Sequence, residues 1–195
     1  LDAKSERERG LKYLAGDGVR VNDEEAARWL LQAAYHGEPT AAYWLGTLYE
    51  RGRGVPVDPF QARHWYETAA KKGNRTAMYN LAVANLDGRG AEKNVEEAVQ
   101  WFGKAAELGM VDSQFNLAVL YERGTGVTQS LTEAYKWYAI AAAGGDKEAA
   151  ARVATLANQL KPEDLAKARS AAAAFKPAPL NASANAAGGP VTPPG

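Results

Sequence analysis

The sequence predicts an all-α chain: an α/α solenoid of four helix-turn-helix repeats, each 36 residues long, closed by an extra C-terminal helix pair. Three observations predict it. Trp29, Trp65, Trp101 and Trp137 follow one another at a constant step of 36. The pairs Gly16/Gly18, Gly52/Gly54, Gly88/Gly90 and Gly124/Gly126 keep that step, and so do Gly37, Gly73, Gly109 and Gly145. Asn22, Asp58, Asn94 and Ser130 fill one column, with Glu25, Gln61, Glu97 and Glu133 three residues further on. That is a helix N-cap followed by a capping-box partner, written once per copy. Copies in register without an insertion are the mark of stacked supersecondary units, each too small to bury its own apolar face.

The elements follow in order. The first helix of copy one reads Lys-Ser-Glu-Arg-Glu-Arg and carries Arg9 where later copies have Leu45, Leu81 and Leu117, so it is expected to fray or to cap the array with a solvated face. In the second copy Leu45, Leu48 and Tyr49 share one face of the first helix. Gly52 ends that helix, because glycine accepts positive φ without a Cβ penalty. Thr40, Thr76 and Asp112 are the expected caps of the first helices. The second helix of that copy starts with Pro59 at N1, where its missing N–H costs nothing, and buries Ala62, Trp65, Tyr66 and Ala69. Ala33/Ala34 and their equivalents, with the column Gly46, Ala82 and Ala118, allow close helix approach. After copy four, Lys147 to Gln159 reads as one more first helix, and Pro162 opens an Ala-rich helix ending near Phe175. The predicted organisation is a repeat array at 1–146, capping helices at 147–175, and a Pro/Ala/Gly-rich tail at 176–195, a linker or disordered.

Composition narrows the function. Lys plus Arg equals Asp plus Glu at 23 each, so nothing points to nucleic acid or an anionic membrane. There is no cysteine, hence no disulfide framework and no thiolate metal site. Apolar runs fall far short of the roughly 20 residues that span a bilayer. The first residue is Leu, which predicts a piece of a longer polypeptide, with any membrane segment outside this chain. His36 and His64 occupy different columns and lack ligand spacing. The Gly-x-Gly turns lack the Lys-Ser/Thr of a phosphate loop. Glu24-Glu25 and Glu96-Glu97 fall in the first turns of second helices, where they complement the helix dipole. No catalytic residue, cofactor or metal is expected.

Leu45-Gly46-x-Leu48-Tyr49-x-x-Gly52-x-Gly54-Val55-x-x-Asp58 and Ala62-x-x-Trp65-Tyr66-x-x-Ala69-Ala70-x-x-Gly73 resemble the Sel1-like repeat, a relative of the tetratricopeptide repeat. The resemblance implies an α/α superhelix serving as an adaptor or scaffold, often in bacterial signalling and envelope biology. A second resemblance lies at the C-terminus. Leu160-Lys161-Pro162-Glu163-Asp164-Leu165-Ala166, then Phe175-Lys176-Pro177-Ala178-Pro179-Leu180 and Asn185, are similar to the periplasmic region of alphaproteobacterial polar localisation factors of the PodJ type. Those are single-pass inner-membrane proteins that organise a cell pole. This resemblance implies a periplasmic module that recruits polar-organelle or envelope proteins.

By analogy with tetratricopeptide repeats, the first helices line the concave face. Three columns then become candidate partner contacts: Tyr43, Tyr79 and Phe115; Thr47, Val83 and Val119; Glu50, Leu86 and Glu122. Asn80 and Asn116 stand beside the first column. Aromatic anchors next to mixed charge suit an extended peptide or an amphipathic helix. The aromatic column fits core packing equally well, and the sequence leaves the two open. The expected partner is a protein or peptide; peptidoglycan, bound by aromatic stacking on sugars, is the alternative, as is a role as periplasmic regulator of a signalling receptor. The sequence sets no oligomeric state.

Overall fold

The computed structural model describes residues 1–186, which form ten α-helices and, among those residues, no strand. The helices are α1 (Ala3–Ala15), α2 (Asp23–Tyr35), α3 (Pro39–Arg51), α4 (Pro59–Lys71), α5 (Arg75–Asp87), α6 (Val95–Glu107), α7 (Val111–Arg123), α8 (Leu131–Ala143), α9 (Lys147–Ala157) and α10 (Pro162–Ala174). Asn22, Asp58, Asn94 and Ser130 cap α2, α4, α6 and α8, each accepting from the N–H three residues on. The first helix of each repeat ends on a left-handed glycine: Gly16, Gly52, Gly88 and Gly124.

The second glycine of each turn has a packing reason that the spacing alone did not reveal. A Cβ on Gly54 would sit 2.1 Å from the Asp23 carbonyl oxygen, and one on Gly90 would sit 2.3 Å from that of Pro59. Each turn therefore lies directly on the start of the preceding repeat's second helix. A Cβ on Gly18, in the first copy, would meet nothing within 4 Å.

Two expectations need correction. The first helices begin two residues earlier than Thr40, Thr76 and Asp112. Their N-caps are Glu38, Asn74 and Met110; Glu38 accepts from Ala41 N–H at 2.6 Å and Asn74 from Ala77 N–H at 2.8 Å, while Met110 makes no side-chain cap. Pro39 at N1 is compatible with this earlier start. Thr40 thus lies inside α3 and is buried. Nor does α1 fray: it keeps an exposed face of Lys4, Glu8, Arg9 and Lys12, but the rest of its charged sequence packs. Glu6 and Arg7 are buried, with Arg7 Nη1 donating to Glu38 Oε1 at 2.7 Å and His36 Nδ1 hydrogen-bonded to Glu6 Oε2 at 2.7 Å. These two charges pack because each is paired, with the residue after α2 or with the N-cap of α3, as burial of a charge requires.

The chain divides into two compact units, one of Leu1–Lys93 with the tail from Leu180, the other of Asn94–Pro179. The division falls within the third repeat, between α5 and α6. In the first unit each of α1 to α5 packs on its neighbour in sequence, with Leu11, Leu14, Leu30, Leu45, Leu48 and Leu81 in the core. Gly46 is required here, since a Cβ would lie 2.7 Å from the Tyr66 ring. In the second unit α8 packs against α7, α9 and α10. Trp137 and Phe175 meet edge to face at 5.6 Å, and Ala178 N–H donates to the Glu107 carbonyl at 2.8 Å. Within the tail, expected to be a linker or disordered, Asn181–Asn185 forms a turn; residues 187–195 lie outside the described residues.

Candidate peptide-binding face

The face is built at the start of two first helices of the first unit. α3 presents Thr40, Tyr43 and Trp44 near its N-terminus. α5 presents Asn74, its N-cap, and the backbone N–H of Arg75, one of the first-turn donors that no helix satisfies internally. On these groups lies a peptide, the chain's own Asn181–Asn185. Asn74 Nδ2 donates to the Ala184 carbonyl at 2.8 Å, and Thr40 Oγ1 donates to the same oxygen at 3.3 Å. Asn185 Oδ1 accepts from Arg75 N–H at 2.7 Å, and Asn185 Nδ2 donates to the Gly73 carbonyl at 2.9 Å. Ala184 is 1% exposed. A cavity of about 190 Å³ continues beside the segment, lined by Thr40, Tyr43, Trp44, Asn74, Thr76 and Leu180 among others.

The segment holds its own shape. Asn181 Oδ1 accepts from Ser183 N–H at 3.1 Å, Ser183 Oγ at 2.8 Å and Ala184 N–H at 3.2 Å, and Asn185 Nδ2 donates to the Asn181 carbonyl at 2.8 Å. Asparagine makes such local turns readily, because its side chain imitates a backbone carbonyl.

The candidate columns divide among different roles. Tyr43 lines the cavity; it is half-buried, and burial pushes its hydroxyl above the usual tyrosine range. Thr47 is buried and donates to the Tyr43 carbonyl at 3.2 Å. Glu50 accepts from Tyr66 OH at 2.6 Å and from Arg89 Nη1 at 2.7 Å, which ties α3 to α4 and to the turn after α5. Burial, and then the Glu50 charge, raise the Tyr66 hydroxyl well above the usual tyrosine range. Tyr79, Asn80, Val83 and Leu86 are half-buried along α5.

In the second unit Phe115 meets Tyr138 edge to face at 5.6 Å. Glu122 repeats the arrangement of Glu50: it accepts from Tyr138 OH at 2.6 Å and pairs with Arg152. Asn116 Nδ2 turns back to the Asp112 carbonyl at 2.8 Å, and Val119 is half-buried. Glu50 and Glu122 thus spend their carboxylates on holding helices together. The receptor groups that sequence reasoning missed are Asn74, Arg75 N–H and, taken for a cap, Thr40. The repeated N-cap column Glu38, Asn74, Met110, Asp146 was the available signal.

Among the described residues no group of three or more His, Cys, Asp and Glu could hold a metal ion. No helix there is long and apolar enough to cross a membrane.

Helical hairpins stacked in register, with their recurring residues consumed by contacts between neighbours, define a helical-repeat protein. The Sel1 repeat model matches residues 3–38, 39–74, 75–110 and 111–146, and the chain belongs to the Sel1 repeat family. The structure is similar to that of a Sel1 repeat protein from Oxalobacter formigenes, with 29% identity and a TM-score of 0.77 over 89% of this chain and 74% of that one. It is also similar to a protective antigen present in uropathogenic Escherichia coli strains displaying an SLR fold, with 30% identity and a TM-score of 0.78 over 88% of this chain. The match spans 38% of that antigen's chain. Comparison with curated proteins gave no match. Sel1 repeat proteins generally act as protein–protein interaction scaffolds, and the fold is typically non-catalytic.

Proposed function

We propose that the chain is a non-catalytic interaction scaffold that forms the periplasmic module of a bacterial cell-pole organising protein and recruits polar-organelle or envelope proteins. The observation that carries the interaction reading is the peptide seated on the α3/α5 face, where Asn74 and Arg75 N–H bond to it at 2.8 and 2.7 Å. A surface that holds peptide backbone and a side-chain amide together is equipped for protein partners. What supports the finer reading is the likeness of the stretch from Leu160 to Asn185 to polar localisation factors.

The test has two arms. The immobilised chain is exposed to an envelope extract beside its Tyr43→Ala variant, with helicity checked by circular dichroism. A protein retained by the first and lost by the second is the expected result. The same chain is sedimented with purified peptidoglycan; wall binding that disappears on Tyr43→Ala or Phe115→Ala, with no protein partner found, overturns the reading in favour of a glycan-binding module. In cells, a fluorescent fusion of the full-length protein gathers at a pole if the finer reading holds, and a diffuse envelope signal overturns it.

A further inference from the structure

We propose that the α3/α5 face is a sequence-reading peptide site for a small residue followed by asparagine, and that Asn181–Asn185 is a built-in occupant that competes with partners for it. The proposal rests on the interaction reading and names the ligand class and its regulation.

The chemistry of the pocket sets what it reads. The asparagine amide is checked at both ends, its oxygen by Arg75 N–H at 2.7 Å and its nitrogen by the Gly73 carbonyl at 2.9 Å. Aspartate would place a carboxylate oxygen against that carbonyl, and two acceptors repel. Glutamine would carry the amide one methylene too far. The residue before it must be small, because Ala184 is 1% exposed and its Cβ lies 3.8 Å from where a Cβ on Gly73 would stand. Its carbonyl is read by Asn74 Nδ2 at 2.8 Å, from a side chain that is itself 4% exposed. Every contact is to peptide backbone or to a primary amide, so the ligand is a peptide.

The occupant is pre-shaped by the Asn181 turn, so little ordering cost remains when it docks. It is also covalently attached, and an attached segment competes at an effective concentration near the millimolar range. A free peptide of the same sequence therefore meets a filled site.

The test uses the full chain throughout and a fluorescent peptide of residues 180–186, Leu-Asn-Ala-Ser-Ala-Asn-Ala. Ala184→Glu evicts the chain's own segment, since the buried position offers a carboxylate no partner. This variant is expected to bind the peptide at least about tenfold more tightly than the wild type, the range over which an attached competitor acts. Adding Asn74→Asp should remove that gain: the carboxylate still caps α5 by accepting from Ala77 N–H but no longer donates. A peptide with its second asparagine replaced by Ala should likewise fail to bind. Helicity and melting temperature confirm that each variant is folded. No binding to the Ala184→Glu chain, equal binding by wild type and variant, or binding indifferent to Asn74→Asp each overturns the proposal. A chain that captures a protein partner while its Ala184→Glu form ignores the peptide loses this proposal and leaves the scaffold reading standing.

Discussion

In the first unit two successive junctions between repeats use the same columns differently. Position 7 of the first copy is Arg7, and the equivalent in the second is Tyr43; the N-cap column holds Glu38 at the first junction and Asn74 at the second. At the first, Arg7 Nη1 and Glu38 Oε1 close on each other at 2.7 Å with side-chain exposures of 9% and 8%. The two charges neutralise each other, and the Arg7 Nε left without a hydrogen-bond partner is itself buried. At the second, Tyr43 brings no charge, Asn74 keeps its amide N–H, and a peptide carbonyl takes it. At this junction the N-cap carboxamide thus holds a peptide where the first junction holds an ion pair. The repeat supplies a place for a binding group, and the pairing residue one copy upstream decides whether that place is sealed.

The sealed junction should be the more fragile to a single change. Arg7→Ala leaves Glu38 buried and unpaired, so a loss of about 3–5 kcal/mol is expected, against a far smaller one for Tyr43→Phe at the open junction. Urea denaturation of both variants measures it; equal losses would mean that Arg7 only fills space.

The tryptophan column ranks the same two copies in the other order. Trp65 is 4% exposed, whereas Trp29 in the first copy is half-buried with Arg9 stacked 4.8 Å over its ring. Trp65→Ala, like Trp101→Ala, should cost about 3–5 kcal/mol. Trp29→Ala should cost clearly less, read from the same denaturation curves.

A smaller effect tests how the hairpins are tied. The residues 16 apart in each copy change together: Leu14 with Leu30, Glu50 with Tyr66, Leu86 with Phe102, Glu122 with Tyr138. Either both are apolar or they are a carboxylate and a phenol. Glu50→Leu alone leaves the buried Tyr66 hydroxyl only its long bond to Thr47 Oγ1, at 3.5 Å, and should cost about 1–3 kcal/mol. Glu50→Leu with Tyr66→Phe leaves two apolar side chains, as at Leu14 and Leu30 in the first copy, and should recover most of that loss in a double-mutant cycle.

The same tyrosine predicts a pH dependence. In the unfolded chain it titrates near 10.0, while burial and Glu50 hold it protonated in the fold. Above pH 10 or so the unfolded state therefore binds fewer protons, and stability falls as pH rises. Tyr66→Phe has no proton to lose, so its melting temperature should decline less steeply across that range.

The sequence made the hairpins legible because their signals are local and repeated. A cap at Asn22 or Asp58 is satisfied three residues away, and a glycine at Gly52 ends its own helix. The first-helix caps were misread because Thr40 and Thr76 look like caps, whereas the true column mixes Glu38, Asn74, Met110 and Asp146. The pairing of Glu50 with Tyr66 was in view as a correlated change between copies, although it reads as groove until the hydroxyl is placed. The docked tail had no such signal. Its partners lie about 110 residues away, at Asn74 and Arg75, and Asn-Ala-Ser-Ala-Asn carries no periodicity that would announce a contact.

The smallest expected effect lies at the sealed junction itself. Lys72 Nζ donates to the Gly37 carbonyl at 2.8 Å, bridging the same two repeats as Arg7 and Glu38, but from the solvent side. An exposed lysine can give that hydrogen bond to water instead, and a long side chain loses rotamer freedom to make it. Lys72→Ala should therefore change stability by no more than about 0.5 kcal/mol, within the spread of surface substitutions. A loss near that of Arg7→Ala in the same denaturation series would move the seal of this junction from the buried ion pair to its rim.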